Sequence, residues 1–302
     1  MLNYSEVTYN DYRQLFPKPS VVYNSVDFAL LNASKTGLLH FLVLSNDHGK
    51  PLFGIIIGEN AEGFSSPFSA PFGGLETNRS HGVETWLEAA EALKNFAREY
   101  KKPLRIALPP AFYCADDRIE AQALALKTAG FTDTPDYNYH FNLDVPQLTS
   151  AARNKLATAG RHDFKTELTT DVARAYAVIK ANRDQRGYPL RMTLGQVEET
   201  VKLIPADFWI MSLEGRDVAA AQIFEVNDRV VQVVYWGEDT EFSPLRPMNL
   251  LASKIALHYL EKGKIVDVGP SSTDGVPSTG LCDFKASVGC HLTPKHVLTL
   301  SV

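Results

Sequence analysis

One order of elements occurs twice in this 302-residue chain, and that recurrence limits the fold more than any single motif. In the first half, Leu38-Leu39-His40-Phe41-Leu42-Val43-Leu44 runs into the turn cluster Asn46-Asp47-His48-Gly49 and continues as Leu52-Phe53-Gly54-Ile55-Ile56-Ile57, a hairpin pattern. An irregular Pro-containing stretch, an amphipathic helix and the strand Leu104-Arg105-Ile106-Ala107-Leu108 follow, ended by Pro109. In the second half, Phe208-Trp209-Ile210-Met211-Ser212 turns at Glu214-Gly215-Arg216 into a strand over 218–226. A turn at Asn227-Asp228, a strand over 230–236, an irregular loop, a helix over 248–261 and a strand over 264–269 complete the copy, ended by Pro270. Leu42-Val43-Leu44-Ser45 with Gly49-Lys50 matches Trp209-Ile210-Met211-Ser212 with Gly215-Arg216, and the shared turn favours tandem duplication over chance similarity of two α/β units. The expected fold is α/β (α+β): two domains in tandem, residues 1–147 and 148–302, each a mixed, mostly antiparallel sheet flanked by helices.

The helices have local causes. Val83, Trp86, Leu87, Ala90, Leu93, Ala97 and Tyr100 recur at three- and four-residue steps, which puts them on one face of a helix over 81–100. Shorter helices are expected over 8–16, stopped by Pro17, and over 25–32. Another starts at Asp116 or Asp117 and stops at Gly130, after which a strand over 137–143 closes the first domain. In the second half Thr170 caps a helix that ends at Gly187, and Thr193 with Gln196 has capping-box spacing for one that Pro205 ends.

Composition narrows the function classes. Hydrophobic content of 45% with 22% charged residues suits a soluble globular protein. A net charge of −5 argues against a protein whose main task is gripping nucleic-acid backbone, since phosphate neutralisation supplies most of that affinity. The N-terminal residues carry no basic stretch followed by an apolar run, and no apolar segment approaches the roughly 20 residues of a membrane span. Neither a secretory signal nor membrane insertion is expected. Cys114, Cys282 and Cys290 lack metal-ligand spacing, and the histidines form no His-x-x-x-His pair. Reduced thiols, a cytoplasmic location and no metal are the expectation.

Several segments of the second half, in order, resemble the C-terminal domain of the Fem-type proteins: Arg153-Asn154-Lys155; Asn182-Arg183-Asp184-Gln185-Arg186-Gly187-Tyr188-Pro189; Val234-Tyr235-Trp236-Gly237; Asp267-Val268-Gly269-Pro270-Ser271-Ser272-Thr273; and Phe284-Lys285-Ala286-Ser287-Val288-Gly289. The first half resembles the partner domain only in layout and in Ser66-Pro67-Phe68-Ser69-Ala70-Pro71-Phe72-Gly73-Gly74. Fem-type proteins are tandem GNAT-fold transferases, some of which take aminoacyl-tRNA as donor. No long charged heptad run corresponds to the coiled-coil arm of the tRNA-binding members.

The resemblance implies acyl transfer to an amine, in the second domain and along the cleft between the domains. Such chemistry needs a donor pocket, a relay for the amine proton and positive charge near the developing oxyanion. Lys285 is the residue the resemblance assigns to charge stabilisation, the alternative being a solvated or salt-bridged surface lysine. Tyr235 is a candidate acid or hydrogen bonder, with Trp236 and Phe284 as pocket walls, and plain core as the alternative for the aromatics. Arg186 and Tyr188 follow a helix end and are candidates for binding the small-molecule or peptidic amine acceptor; a guanidinium that complements the helix dipole is the alternative for Arg186. Asp267 fits a loop-orienting role. A coenzyme A pyrophosphate would need backbone amides at a helix N-terminus, and the loop before residue 248 has no glycine, two prolines, three carboxylates just ahead of it, and Arg246 and Asn249 as its candidate ligands. No tightly bound cofactor is expected; the donor is an acyl-CoA or an aminoacyl-tRNA, and tRNA is the only nucleic acid anticipated. The rival classes are a GNAT-fold binding protein that has lost its donor site, and a coenzyme A-dependent N-acetyltransferase. In residues 66–74 small residues, prolines and Gly73-Gly74 permit close backbone approach to a ligand or form a rigid loop, and Phe64, Phe68 and Phe72 are read as wedges between domains.

Overall fold

The computed structural model describes residues 1–302. The chain runs through β1 (Asn3–Glu6), α1 (Tyr9–Leu15), α2 (Val26–Leu31), β2 (Leu38–Ser45), β3 (Pro51–Asn60), β4 (Gly63–Ser66), α3 (Val83–Tyr100), β5 (Leu104–Ala107), α4 (Arg118–Thr128) and β6 (Thr132–Asp133). It continues through β7 (Asp136–Phe141), α5 (Ser150–Ala159), β8 (Lys165–Thr169), α6 (Val172–Arg186), α7 (Leu194–Thr200), β9 (Ala206–Leu213), β10 (Arg216–Glu225), β11 (Val230–Glu238), α8 (Pro247–Glu261) and β12 (Ile265–Pro270). The short β13 (Ser272–Thr273) and β14 (Val276–Pro277), α9 (Thr279–Ser287), β15 (His291–Lys295) and β16 (Val297–Leu300) end it. None of the helices is long and apolar enough to cross a membrane.

Two seven-stranded mixed sheets carry the fold, ordered β1-β2-β3-β4-β5-β16-β6 and, in the second, β8-β9-β10-β11-β12-β7-β15. In each, one pair in the middle is parallel, β4 with β5 and β11 with β12, while the hairpin strands are antiparallel. The recurrence read from the sequence is therefore a recurrence of topology.

The hairpins form where the turn chemistry directs them. Asn46 accepts the backbone N–H of His48 and of Lys50, and Gly49 takes the φ of 72° that closes the turn between β2 and β3. Alternation then divides each strand between two faces. Leu42 and Leu44 of β2 pack with Leu93, Phe96 and Ala97 of α3, whereas Phe41 and Val43 pack with Tyr12 and Phe16 from the α1 segment and Val26 of α2. In the second sheet Ala219, Ala221 and Ile223 of β10 pack with Leu251, Ala252 and Ile255 of α8, and Ala220 packs with Ala175 and Ile179 of α6. A run of seven buried residues from Val218 to Phe224 is what a strand covered on both faces requires.

The division between units differs from the one expected. Residues 1–136 with 273–276 and 294–302 form one compact unit, and residues 137–272 with 277–293 form the other. The strand expected to close the first domain, β7, pairs with β12 in the second sheet, and β16 from the chain end pairs with β5 in the first. Side chains decide this: Tyr139 and Phe141 enter the second core, Asn138 donates to Asp267 at 2.8 Å, and Leu298 and Leu300 enter the first core. A smaller correction concerns α6, whose N-cap is Asp171 and not Thr170, the Asp171 carboxylate accepting the Arg174 N–H at 2.9 Å.

Candidate functional site

The parallel pair of the second unit separates along its length. Strands β11 and β12 are in register at Val230↔Ile265, Val231↔Val266 and Gln232↔Asp267, and there the ladder stops. From residue 233 onward β11 keeps only its β10 partner. The register between β10 and β11 slips between Gln222 and Ile223, so that Val234 is an extra, bulged residue. A bulge bends the strand and adds twist, and beyond Gln232 and Asp267 the ends of β11 and β12 run unpaired, with a slot between them in the ladder.

On the α8 side of this slot, Trp236 of β11 and Phe284 of α9 meet edge to face with ring centroids 6.1 Å apart, both partly buried against the second core. Lys285, the next residue of α9, is buried, and its Nζ donates to the carbonyls of Val268, Gly269 and Pro270 at 3.1, 2.8 and 3.1 Å. Those three bonds use every N–H of an ammonium. They hold the end of β12, where Gly269 has φ 76° and the ladder to β7 is bulged. Burial brings the Lys285 pKa down to about 8. Of the two sequence readings of Lys285, the surface one is excluded, and its position is that of a positive charge at the edge of the slot with no N–H to spare.

Asp267 completes this corner. Its Oδ1 accepts the Gly269 N–H at 2.9 Å and the Asn138 amide at 2.8 Å, while Oδ2 accepts from Gln232 at 2.8 Å. It orients the turn after β12, as its residue type and position suggest.

Tyr235 points to the opposite face from Trp236, toward α6. The Arg183 guanidinium lies 5.5 Å from its ring centroid, and the backbone amides of Arg191 and Met192 lie on the side of its hydroxyl. Burial pushes its pKa up. The phenol lies beside the loop after α6, which the Tyr176 hydroxyl anchors by donating to the Met192 carbonyl at 3.0 Å. The structure separates Tyr235 from the Trp236–Phe284 wall.

Arg186 and Tyr188 bracket the end of α6. Gly187 takes the left-handed conformation, and the Tyr188 N–H returns to the Arg183 carbonyl, the helix-ending motif that leaves the Tyr188 side chain 55% exposed. The Arg186 guanidinium reaches to 3.7 Å from a Glu238 carboxylate oxygen. Helix α6 sits this close to β11 because Gly237 has no side chain: a Cβ there would lie 2.5 Å from Asn182. Asn182 in turn donates to the Glu238 carbonyl at 2.7 Å.

Arg246 and Asn249 lie at the start of α8. Arg246 is exposed, takes a left-handed conformation and supplies no side-chain cap. Asn249 is buried, and its Nδ2 has no hydrogen-bond partner. The residue that sequence reading passed over is Glu238. Its Oε1 accepts the Ser243 hydroxyl at 2.7 Å and its Oε2 lies 3.4 Å from the Met248 N–H, in the first turn of α8. Its signal was visible as the first of the carboxylates ahead of the loop.

In the first unit the comparable opening between β4 and β5 is filled by the chain itself. The ladder Phe64↔Leu104 to Ser66↔Ile106 ends at a cis Ser66–Pro67 bond, and Gly73 then donates to the Ala107 carbonyl at 2.7 Å. Gly74 and Leu75 donate to the Ser66 hydroxyl and the Gln122 amide oxygen. The two glycines therefore serve close packing of this segment on its own strands. Phe72 packs between Tyr23 and Tyr113, and Phe64 against Phe96, so these rings are core of the first unit and not wedges between domains. No group of three or more His, Cys, Asp or Glu side chains is placed to hold a metal ion.

No protein-family model matches the chain, and no curated protein matches it. Solved structures do. FemX superposes with a TM-score of 0.65 at 12% identity, over 99% of this chain and 98% of that one. The L-PGS structure from Bacillus licheniformis gives 0.61 at 9% identity, covering 98% and 93%. A tandem GNAT protein from the clavulanic acid biosynthesis pathway gives 0.51 at 13% identity, covering 99% and 98%. Identities this low speak for the fold alone. The fold of this chain is a Fem-like tandem GNAT fold.

Proposed function

We propose that this chain is an acyl- or aminoacyl-transferase that modifies an amine, with transfer at the opened end of β11 and β12. The observation that carries this reading is the unpaired edge of β11 beyond Gln232, walled by Trp236 and Phe284. A strand edge offers N–H and C=O groups to an extended amide-bearing chain, which adds to the sheet as one more strand. Such a slot aligns a donor's acyl carbon, and alignment is the larger part of what acyl transfer to an amine asks of a protein. Lys285 is a positioning residue here: it holds the β12 end in place, and its buried charge favours negative charge developing in the slot. Arg186 and Tyr188, at the exposed end of α6, are the candidate contacts for the acceptor.

The test is a transfer assay on the full chain with acyl-thioester and aminoacyl-ester donors against a panel of amines and amino-terminal peptides, read by mass spectrometry. An acyl adduct on the amine, lost in Trp236→Ala and Phe284→Ala, is the expected result. Absence of any adduct across the panel overturns the reading.

A second reading, a binding protein without catalysis, draws on one observation: the Lys285 ammonium is already used in structural bonds. Saturable binding of a peptide or sugar with no adduct from any donor would select it.

A further inference from the structure

The start of α8 closes the parallel crossover beside the slot, where a donor's pyrophosphate would be received if this unit took coenzyme A in the manner of a helix N-terminus. Such a site works because the first N–H groups of a helix lack partners and carry partial positive charge. Here they do not stand open. Pro247 at the first position has no N–H, Asn249 returns its N–H to the Arg246 carbonyl at 3.2 Å, and Met248 faces the Glu238 carboxylate at 3.4 Å. The N-cap residue, Arg246, makes no side-chain cap, so the acceptor comes from the end of β11. Ser243 adds a 2.7 Å hydrogen bond to the same carboxylate, Arg186 approaches to 3.7 Å, and the Glu238 side chain is only 11% exposed. The protein's own anion has the surroundings a phosphate would need, and a second anion beside it is repelled.

We infer that Glu238 is a specificity-determining residue that closes the first turn of α8 to phosphate, so that the donor is held by its acyl-bearing end and not through a pyrophosphate. The residues present do not fit coenzyme A at this position. The relevance to donor choice rests on the transferase reading of the slot; the occupancy of the helix end does not. Donors that remain admissible are those whose acyl ester or thioester enters the slot with any phosphate elsewhere.

The experiment titrates inorganic pyrophosphate, and separately desulfo-coenzyme A, into the full-length protein and into Glu238→Ala and Glu238→Gln, by calorimetry at fixed ionic strength. Glu238→Ala frees the Met248 N–H and the Ser243 hydroxyl and leaves Arg186 without its partner. Its pyrophosphate affinity is expected to rise at least about tenfold over the parent. Adding Arg186→Ala to that variant removes the gain. Glu238→Gln keeps the shape without the charge and gains a smaller factor, which keeps the test decisive where Glu238→Ala fails to fold. Binding by the parent as tight as by the variants, or no gain in either folded variant, overturns the inference. Neither result touches turnover, so a chain that transfers nothing would fail the proposed function and leave this titration standing.

Discussion

The Lys285 ammonium lies 2.8 Å from the carbonyl oxygen of Gly269, a residue at φ 76° in the bulged end of β12. A charge buried this deeply persists because it is fully hydrogen-bonded, and the carbonyls it serves lie beyond Asp267, where the parallel pairing with β11 has ended. The pair ties α9 to the strand end that forms one side of the slot.

Removing that donor strands buried acceptors. Lys285→Met is expected to cost about 3 kcal/mol of unfolding free energy, the sum of lost charged hydrogen bonds and unpaired carbonyls. Urea denaturation measures it. A loss below about 0.5 kcal/mol is what an ordinary surface lysine gives, and it would contradict this role.

One buried histidine gives stability a pH dependence of known sign. Burial lowers the His140 pKa to about 4, from an ordinary value of 6.5. The folded state therefore holds the neutral ring while the unfolded chain takes up a proton as pH falls, so stability is present above 6.5 and is lost on the way down through 4. At about 1.4 kcal/mol for each pH unit of displacement, the loss comes to about 3 kcal/mol. His140→Gln is expected to flatten this part of the curve, and a stability profile from pH 7 to pH 4 (about the span of the shift) on both proteins measures it. A variant as steep as the parent would contradict the assignment.

Tyr235 separates anchoring from acid catalysis. Tyr235→Phe removes a hydroxyl on the side of the Arg191 and Met192 amides and is expected to cost no more than about 1 kcal/mol of stability. Any transfer rate should change only a few-fold, whereas loss of a general acid costs about 100-fold or more in kcat. The comparison of kcat and the denaturation midpoint on the same variant distinguishes the two.

Gly237 is an obligatory close approach. Gly237→Ala places a carbon 2.5 Å from Asn182, so α6 must move and its 2.7 Å bond to the Glu238 carbonyl weakens. A loss of about 1–3 kcal/mol is expected, and Asn182→Ala in the same background is expected to recover part of it by making room. Additive losses would show that the clash is absent.

What could be read from the sequence was what depends on near neighbours. The β2–β3 turn is written in Asn46 and Gly49, the α7 capping box in Thr193 and Gln196, and the middle of the α3 face in its apolar spacing, although Val83 and Tyr100 of that series are exposed and Phe96 outside it is buried. The Fem-type segments also come together in space: Asn182, Arg183 and Arg186 of α6 meet Gly237, Tyr235 and Glu238 of β11, and Lys285 meets Val268, Gly269 and Pro270. Long-range choices were not legible. Alternation in Tyr137–His140 marks a strand but not which sheet receives it, and β16 joins the first sheet from the far end of the chain. Helix α9 escaped because Gly280 falls in its first turn, Gly289 follows its end and its apolar spacing is short. Which of Glu238, Asp239 and Glu241 would cap α8 depended on the bulge that aims the end of β11, and a bulge leaves no composition signature.

The central claim is that the opened end of β11 and β12 receives the acyl-bearing part of a donor. Amide hydrogen exchange, measured by mass spectrometry with and without a non-hydrolysable aminoacyl-adenosine amide or an acyl-pantetheine, tests it most directly. Slowed exchange over residues 233–238 and 268–271, abolished in Trp236→Ala, is the predicted result. Protection confined to residues of the first unit, with residues 233–238 unchanged by a ligand that demonstrably binds, would contradict it.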